Sequence, residues 1–188
     1  TELNKKVDVL DYLIWGGFPK RIEFGTLDAQ KTYLYDLDDT IVINDLINRY
    51  KIRKVDLFKK FTNYVLKSNA RIFSIRSIHD YIKNEYANCS VNTILKYLEY
   101  LKEAYIIESV NQYSSKTKKE LKFYQKIYNE DVAFNSIRCI DNRFDLTHNL
   151  ENIVYNELLY MGYTISVYDN NGREIDFVAQ KGNLKYYI

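Results

Sequence analysis

Apolar residues recur at helical spacing through most of the first hundred positions, and that pattern predicts helices before anything else is considered. Val7, Leu10, Leu13 and Ile14 predict a helix over 4–15, which Gly16-Gly17-Phe18-Pro19 breaks. A second helical stretch runs from about Thr26 to Tyr50, with an acidic middle. Residues 54–68 form an amphipathic helix anchored by Val55, Phe58, Val65 and Leu66. Ser74 or Ser77 can cap a helix over Ile78–Tyr86. Ser90 caps the next, whose Val91, Ile94, Leu95, Leu98 and Leu101 are expected to face inward. The period then changes. Tyr105–Tyr113 and Leu121–Tyr128 read as paired strands around the polar turn SSKTKK.

Three helices followed by a basic hairpin describe a winged helix-turn-helix. In such a module reading duplex DNA, the third helix enters the major groove and the hairpin touches phosphates. Asn92 and Thr93 lie in the first turn of that helix and Lys96 on or near its outer face. Lys116, Lys118, Lys119 and Lys122 sit on the hairpin, where lysines add affinity and salt dependence rather than sequence choice. Winged helices also serve as protein-contact modules, and Glu99 and Glu103 on the same helix would repel a phosphate backbone.

The last forty residues read as one helix and three short strands. The helix is expected to begin at Leu150 under an Asn149 cap, with Leu150, Ile153, Val154, Leu158 and Met161 on its buried face and Gly162 ending it. Thr164–Tyr168 alternates as a strand, and Asn171-Gly172 predicts a hairpin turn. Ile175, Phe177 and Ala179 share a face of the next strand, and Gly182-Asn183 turns the chain into Leu184–Ile188.

Composition narrows the function. A hydrophobic fraction of 46% with 28% charged residues is globular. No run approaches the ~18 apolar residues of a membrane helix, and no basic-then-apolar signal segment is present, so no membrane partner is expected. Thr1 stands where a Met would be expected, which predicts a piece of a longer protein. Cys89, Cys139, His79 and His148 form no zinc motif, and two lone cysteines suit a reducing cytoplasm. Nineteen Tyr, with many Asn, Ile and Lys, read as compositional bias. The net charge of +2 conceals a gradient: −1 over residues 1–53, +7 over 54–128 and −4 over 129–188. A basic middle beside an acidic end suits a polyanion-binding module next to a metal-binding one, or a contact between two solvated surfaces.

The acids of the C-terminal stretch carry the candidate chemistry. Glu174 and Asp176 are two apart, so on a strand they point the same way. Glu157 falls at the centre of the helix's apolar stripe, about −20° from Leu150, and Glu151 at its edge. A carboxylate on a buried stripe needs compensation, from a nearby Arg or from a divalent cation. LE-x-x-V-x-x-E-L on a helix followed by EIDFV on a strand resembles the PD-(D/E)xK superfamily, the restriction-endonuclease-like fold. The resemblance implies Mg²⁺-dependent phosphodiester cleavage, with Glu151 as the helix acid, Glu157 as second choice, and Asp176 as the strand ligand. Glu151 and Asp176 would then hold the metal. The (D/E/Q)-x-K element does not occur before Ile188: Lys181 is in a turn and Lys185 lacks the preceding acid or amide. A Lys beyond Ile188 would complete the site.

A wider resemblance covers nearly the whole chain. Tyr12-Leu13-x-x-Gly16-Gly17-Phe18-Pro19, Thr40-Ile41-x-x-x-Asp45-Leu46-x-x-Arg49, Ser90-x-x-Thr93-x-x-x-Tyr97-Leu98-x-x-Leu101, Tyr128-x-x-Asp131, Leu150-Glu151 and Glu174-Ile175-Asp176-Phe177 occur in that order. Together they are similar to the C-terminal half of prokaryotic AAA-type ATPases that end in a nuclease-like domain. That implies an ATP-binding core elsewhere, and oligomerisation through it. No G-x-x-x-x-G-K-[ST] occurs here, so ATP binding is not assigned to this chain. Asp131-Val132-Ala133 stands where those proteins usually have Asp-x-Gly. Separately, Asp36-Leu37-Asp38-Asp39-Thr40 resembles the first motif of haloacid-dehalogenase-type phosphatases, with Asp36 as nucleophile and Asp38 as general acid, but that chemistry needs a strand where the pattern is helical.

The expectation is therefore an α+β chain: N-terminal helices over 1–53, a winged helix-turn-helix over 54–128, and a truncated restriction-endonuclease-like α/β domain over 129–188. Its expected role is that of a cytoplasmic DNA-binding module of an AAA-type ATPase. The contrasting expectation is a non-catalytic, protein-binding or regulatory module.

Overall fold

In the computed structural model, which describes residues 8–84, 86, 89–114, 119–170 and 173–188, one six-stranded sheet runs through the second half of the chain. Eight α-helices are described: α1 (Val9–Trp15), α2 (Leu27–Leu37), α3 (Leu46–Arg49), α4 (Val55–Lys67), α5 (Ile75–Lys83), α6 (Val91–Glu103), α7 (Ala133–Ser136) and α8 (Leu146–Tyr160). The strands are β1 (Ile72–Ser74), β2 (Ile107–Ser114), β3 (Lys119–Asn129), β4 (Thr164–Asn170), β5 (Arg173–Lys181) and β6 (Leu184–Tyr187), in the order β1-β3-β2-β4-β5-β6. The chain is α+β.

Local chemistry sets most of these boundaries. Thr26, Ser74 and Ser90 each accept a hydrogen bond from a backbone N–H in the first turn of α2, α5 and α6. Helix α5 therefore starts at Ile75, three residues before the expected Ile78. The acidic stretch is helical, passing from α2 through wider π-type turns over Asp38–Asp45 into α3. Asp36 and Asp38 lie on it, not after a strand.

The β2–β3 hairpin is antiparallel, with Val110 opposite Lys126 and Glu108 opposite Tyr128. β1 adds to the far edge of β3, placing Ile72 opposite Lys126. On the other side β2 runs parallel to β4, pairing Gln112 with Val167. Strands from both sides of the boundary expected after Tyr128 thus share one sheet. The main core packs α4, α5 and α6 through Leu57, Phe58, Phe61, Ile78, Ile82, Ile94, Leu98 and Leu101. A second core lies between α8 and the sheet, where Tyr128, Tyr155 and Phe177 meet. Among the described residues no helix is long and apolar enough to cross a membrane.

Helix α8 departs from its expected form. It begins four residues earlier, because Asp145 rather than Asn149 is the cap and accepts from the His148 N–H. Asn149 is fully buried inside the helix. Its buried face is Asn149, Asn152 and Tyr155, while Leu150 and Met161 are 52% and 54% exposed. Gly162, at φ 80°, ends it as expected. On β5, Phe177, Val178 and Ala179 are all buried, so strict alternation does not hold there. The Asn171-Gly172 turn lies outside the described residues.

Asn149 is a four-way junction. Its Nδ2 donates to Leu13 O at 2.9 Å and Ser136 Oγ at 3.3 Å; its Oδ1 accepts from Asn69 at 3.2 Å and Asn135 at 2.9 Å. Asn152 closes a ring with the Asn129 backbone, accepting from its N–H at 2.7 Å and donating to its carbonyl at 2.8 Å. Nearby, Asp131 accepts from the Gly17 and Ala133 N–H groups, both at 2.8 Å. A Cβ on Gly16, at φ 72°, would lie 1.6 Å from Asp131 Oδ1.

Two measurements check this packing. Asn149→Ala strands several buried groups and is expected to lower the unfolding free energy by about 3 kcal/mol in urea titrations, against under about 1 kcal/mol for the exposed Leu150→Ala. Burial pushes the Asp131 carboxyl up from 3.8 to about 6, despite the lowering effect of the Ala133 and Gly17 N–H groups and Arg21. The folded state therefore keeps a proton that the unfolded chain has lost. This group's stabilisation is full below its ordinary value and is lost as pH rises through about 6. The stability difference between wild type and Asp131→Asn is expected to shrink over that window, with a carboxyl NMR titration locating the midpoint.

Candidate functional site

Tyr128 and Lys126 are two apart on β3 and so share a face; both reach Glu151 of α8. Lys126 Nζ lies 2.9 Å from Glu151 Oε1 and 3.9 Å from Asp176 Oδ1. The Tyr128 hydroxyl donates to the same Glu151 oxygen at 2.9 Å. The Tyr128 ring is fixed by stacking on Tyr155, with centroids 3.9 Å apart, and Phe177 packs beside both. Burial, reinforced by the Glu151 charge, drives the Tyr128 phenol far upward, so it stays a neutral donor.

The two acids expected to meet line one pocket, and Lys126, a lysine that sequence reasoning missed, lies beside both. Lys126 and Glu151 are largely buried, whereas the Asp176 side chain is 56% exposed. Ala70, Arg71, Ile72, His148, Lys126, Glu151 and Asp176 line a pocket of about 210 Å³. At its rim Asp145 joins Arg71 at 2.5 Å and His148 Nδ1 at 2.8 Å. Burial alone would raise the Asp145 carboxyl, but hydrogen bonds from His148 and Arg71 outweigh it and hold the group below its ordinary value.

Glu157 is not part of this site. It is exposed. Once the buried face is Asn149, Asn152 and Tyr155, the position six residues beyond Glu151 turns away, and its charge is felt at Tyr12 instead. Among the described residues no group of three or more His, Cys, Asp or Glu is placed to hold a metal. Two carboxylates remain, a number Mg²⁺ commonly uses while keeping several waters. Asp176 is the more open of the two, whereas Glu151 Oε1 already accepts from Lys126 and Tyr128.

On α6, Asn92 and Lys96 are exposed, while Thr93 is half-buried with its hydroxyl 3.0 Å from Ser90 Oγ. Val91 and Leu95, expected inward, are 43% and 42% exposed, since Tyr97 takes the inward place between Ile94 and Leu98. Lys116 and Lys118 lie outside the described residues. Lys119 and Lys122 are on β3, with side chains that are also outside them.

Residues 6–137 match the model of a domain of unknown function, DUF8612. That span includes Lys126 and stops before Glu151 and Asp176. An uncharacterized protein of Haemophilus influenzae is 28% identical over 187 residues, covering 98% of this chain and 46% of that protein. An uncharacterized protein of Methanocaldococcus jannaschii is 31% identical over 164 residues, covering 85% and 36%. The chain spans less than half the length of these curated relatives. No solved structure matches it.

Removing the ammonium tests the cluster as a unit. Lys126→Met is expected to cost about 3 kcal/mol, because Glu151 loses its buried counter-charge. Adding Glu151→Gln should restore about 1 kcal/mol or more in a double-mutant cycle followed by urea unfolding. Simple additivity would mean that the two groups are not energetically coupled.

Proposed function

We propose that this chain, which belongs to the DUF8612 family, is a nucleic-acid-binding module with a nuclease-like phosphodiester site at Glu151, Lys126 and Asp176. One observation carries the reading: a helix acid and a strand acid, 25 residues apart, converge on one ammonium in an open pocket.

In this reading Glu151 and Asp176 would hold Mg²⁺, and the ion would supply Lewis-acid chemistry and a more acidic bound water there. Lys126, held beside both acids, would supply the positive charge that the resemblance assigns to a Lys beyond Ile188. Tyr128 keeps Glu151 oriented through its hydrogen bond. Arg71, at the rim, offers a guanidinium to the incoming backbone.

The order α4, β1, α5, α6, β2, β3, with β1 on the hairpin's edge, supports a winged helix-turn-helix. The exposed Asn92 and Lys96 support its use on duplex DNA. Helix α8 leading into the antiparallel β4, β5 and β6 supports a restriction-endonuclease-like terminal domain. The resemblance to AAA-type ATPases adds an ATP-binding core and oligomerisation through it, and the two lone cysteines suit a reducing cytoplasm. The relatives, more than twice as long as their matched parts, have room for such a core. A second reading, a protein-contact module, is favoured by Val91 and Leu95, whose exposure gives the outer face of α6 an apolar pair.

The test uses the full-length protein. Mg²⁺-dependent nicking of supercoiled DNA is expected to disappear in Asp176→Ala, while duplex binding remains and weakens steeply with salt. Nicking unchanged by that substitution would sink the nuclease reading. Duplex binding indifferent to salt would favour the protein-contact module.

A further inference from the structure

A larger groove, about 980 Å³, adjoins the Lys126 pocket. It is lined by Tyr35 of α2, Lys60, Tyr64 and Lys67 of α4, Arg71, and Tyr81 of α5. Arg71 and Ile72 border both the groove and the pocket, so the two form one continuous surface. No residue of α6 is among those lining this surface.

The groove combines basic groups with aromatic faces. Tyr35 and Tyr81 are each 51% exposed. Tyr64 and Tyr81 rings lie 4.9 Å apart, and Lys60 Nζ sits 5.2 Å over Tyr81. Arg138 forms a fixed wall, chelating Asp38 at 2.8 and 2.6 Å, and this neutralises the groove's acid. Lys67 is exposed at the end of α4, and Arg71 stands where the groove meets the pocket. Duplex DNA keeps its base faces inside the stack and has little use for tyrosine rings. Unpaired bases stack on them, while the accompanying phosphates take lysine and arginine.

We propose that this groove binds an unpaired nucleic-acid strand, with bases against Tyr35, Tyr64 and Tyr81 and phosphates on Lys67 and Arg71, and leads it to Lys126. The destination rests on the nuclease-like reading above; the binding surface does not. Arg71 can turn to a phosphate without stranding Asp145, which retains His148 at 2.8 Å.

Fluorescence anisotropy of the full-length protein, in EDTA, with a labelled thymidine oligomer and a duplex of equal length tests the proposal. Lys67→Gln combined with Tyr81→Leu is expected to weaken single-strand binding at least about tenfold and duplex binding less than about twofold. Asn92→Ala with Lys96→Ala should leave single-strand affinity in place. In wild type, photocrosslinking of 5-iododeoxyuridine oligomers should label Tyr35 or Tyr81. Single-strand affinity unchanged in the groove variant, or crosslinks confined to α6, would overturn the proposal; the crosslink map decides alone if that variant does not fold. EDTA keeps divalent metal out of the binding measurement. Groove-dependent binding together with nicking that survives Asp176→Ala would therefore uphold the strand site while the nuclease reading fails.

Discussion

A buried lattice of asparagines fixes the rotation of α8, and nearly everything at the candidate site follows from it. Asn149 and Asn152 are fully buried, and their amides are matched to Leu13, Asn69, Asn129, Asn135 and Ser136. An unmatched buried amide costs more than a matched one gains, so the lattice tolerates few alternative helix rotations. Glu151 sits between these two asparagines in sequence. With both turned toward the core, it is carried to the sheet at the height of Lys126 and Tyr128.

The sheet provides the other half of the geometry. Lys126 is almost fully buried, which a lone ammonium could not sustain, and Glu151 compensates it at hydrogen-bond distance. Asp176 arrives from β5, and β5 reaches the same place because β4 joins β2 in parallel. Both the basic hairpin and the acidic terminal segment therefore contribute to one site, and the charge gradient along the chain is folded back on itself at Lys126.

The parts legible in the sequence were those decided locally. Ser90 and Gly162 mark helix ends through groups within a turn of themselves, and the α4 and α6 cores follow from apolar spacing. That Glu151 and Asp176 line one pocket could be anticipated from a motif. Asn149 was misread because the same amide serves as a cap in one context and a buried junction in another. Its burial also inverted the reading of α8, since Leu150 and Met161 looked like the inward stripe. Lys126 was missed because its role depends on the β2–β4 pairing, which nothing local encodes. Its trace in the sequence is a lysine two residues before Tyr128, on the same face of the strand.

The joint between Asp131 and the Gly16-Gly17 turn shows which part of a motif the physics requires. The resemblance to AAA-type ATPases places glycine at position 133, but Ala133 opens α7 without positive φ. A Cβ is therefore no obstacle there. What the fold needs is the carboxylate two positions earlier, because it satisfies the Gly17 and Ala133 N–H groups together and closes a contact across 114 residues. Gly16 has no such latitude: its positive φ and the overlap of any Cβ with Asp131 both exclude a side chain. Sequence departures in this chain are thus bearable where only a turn is at stake. They are not bearable where a buried acid and a backbone approach each other closely.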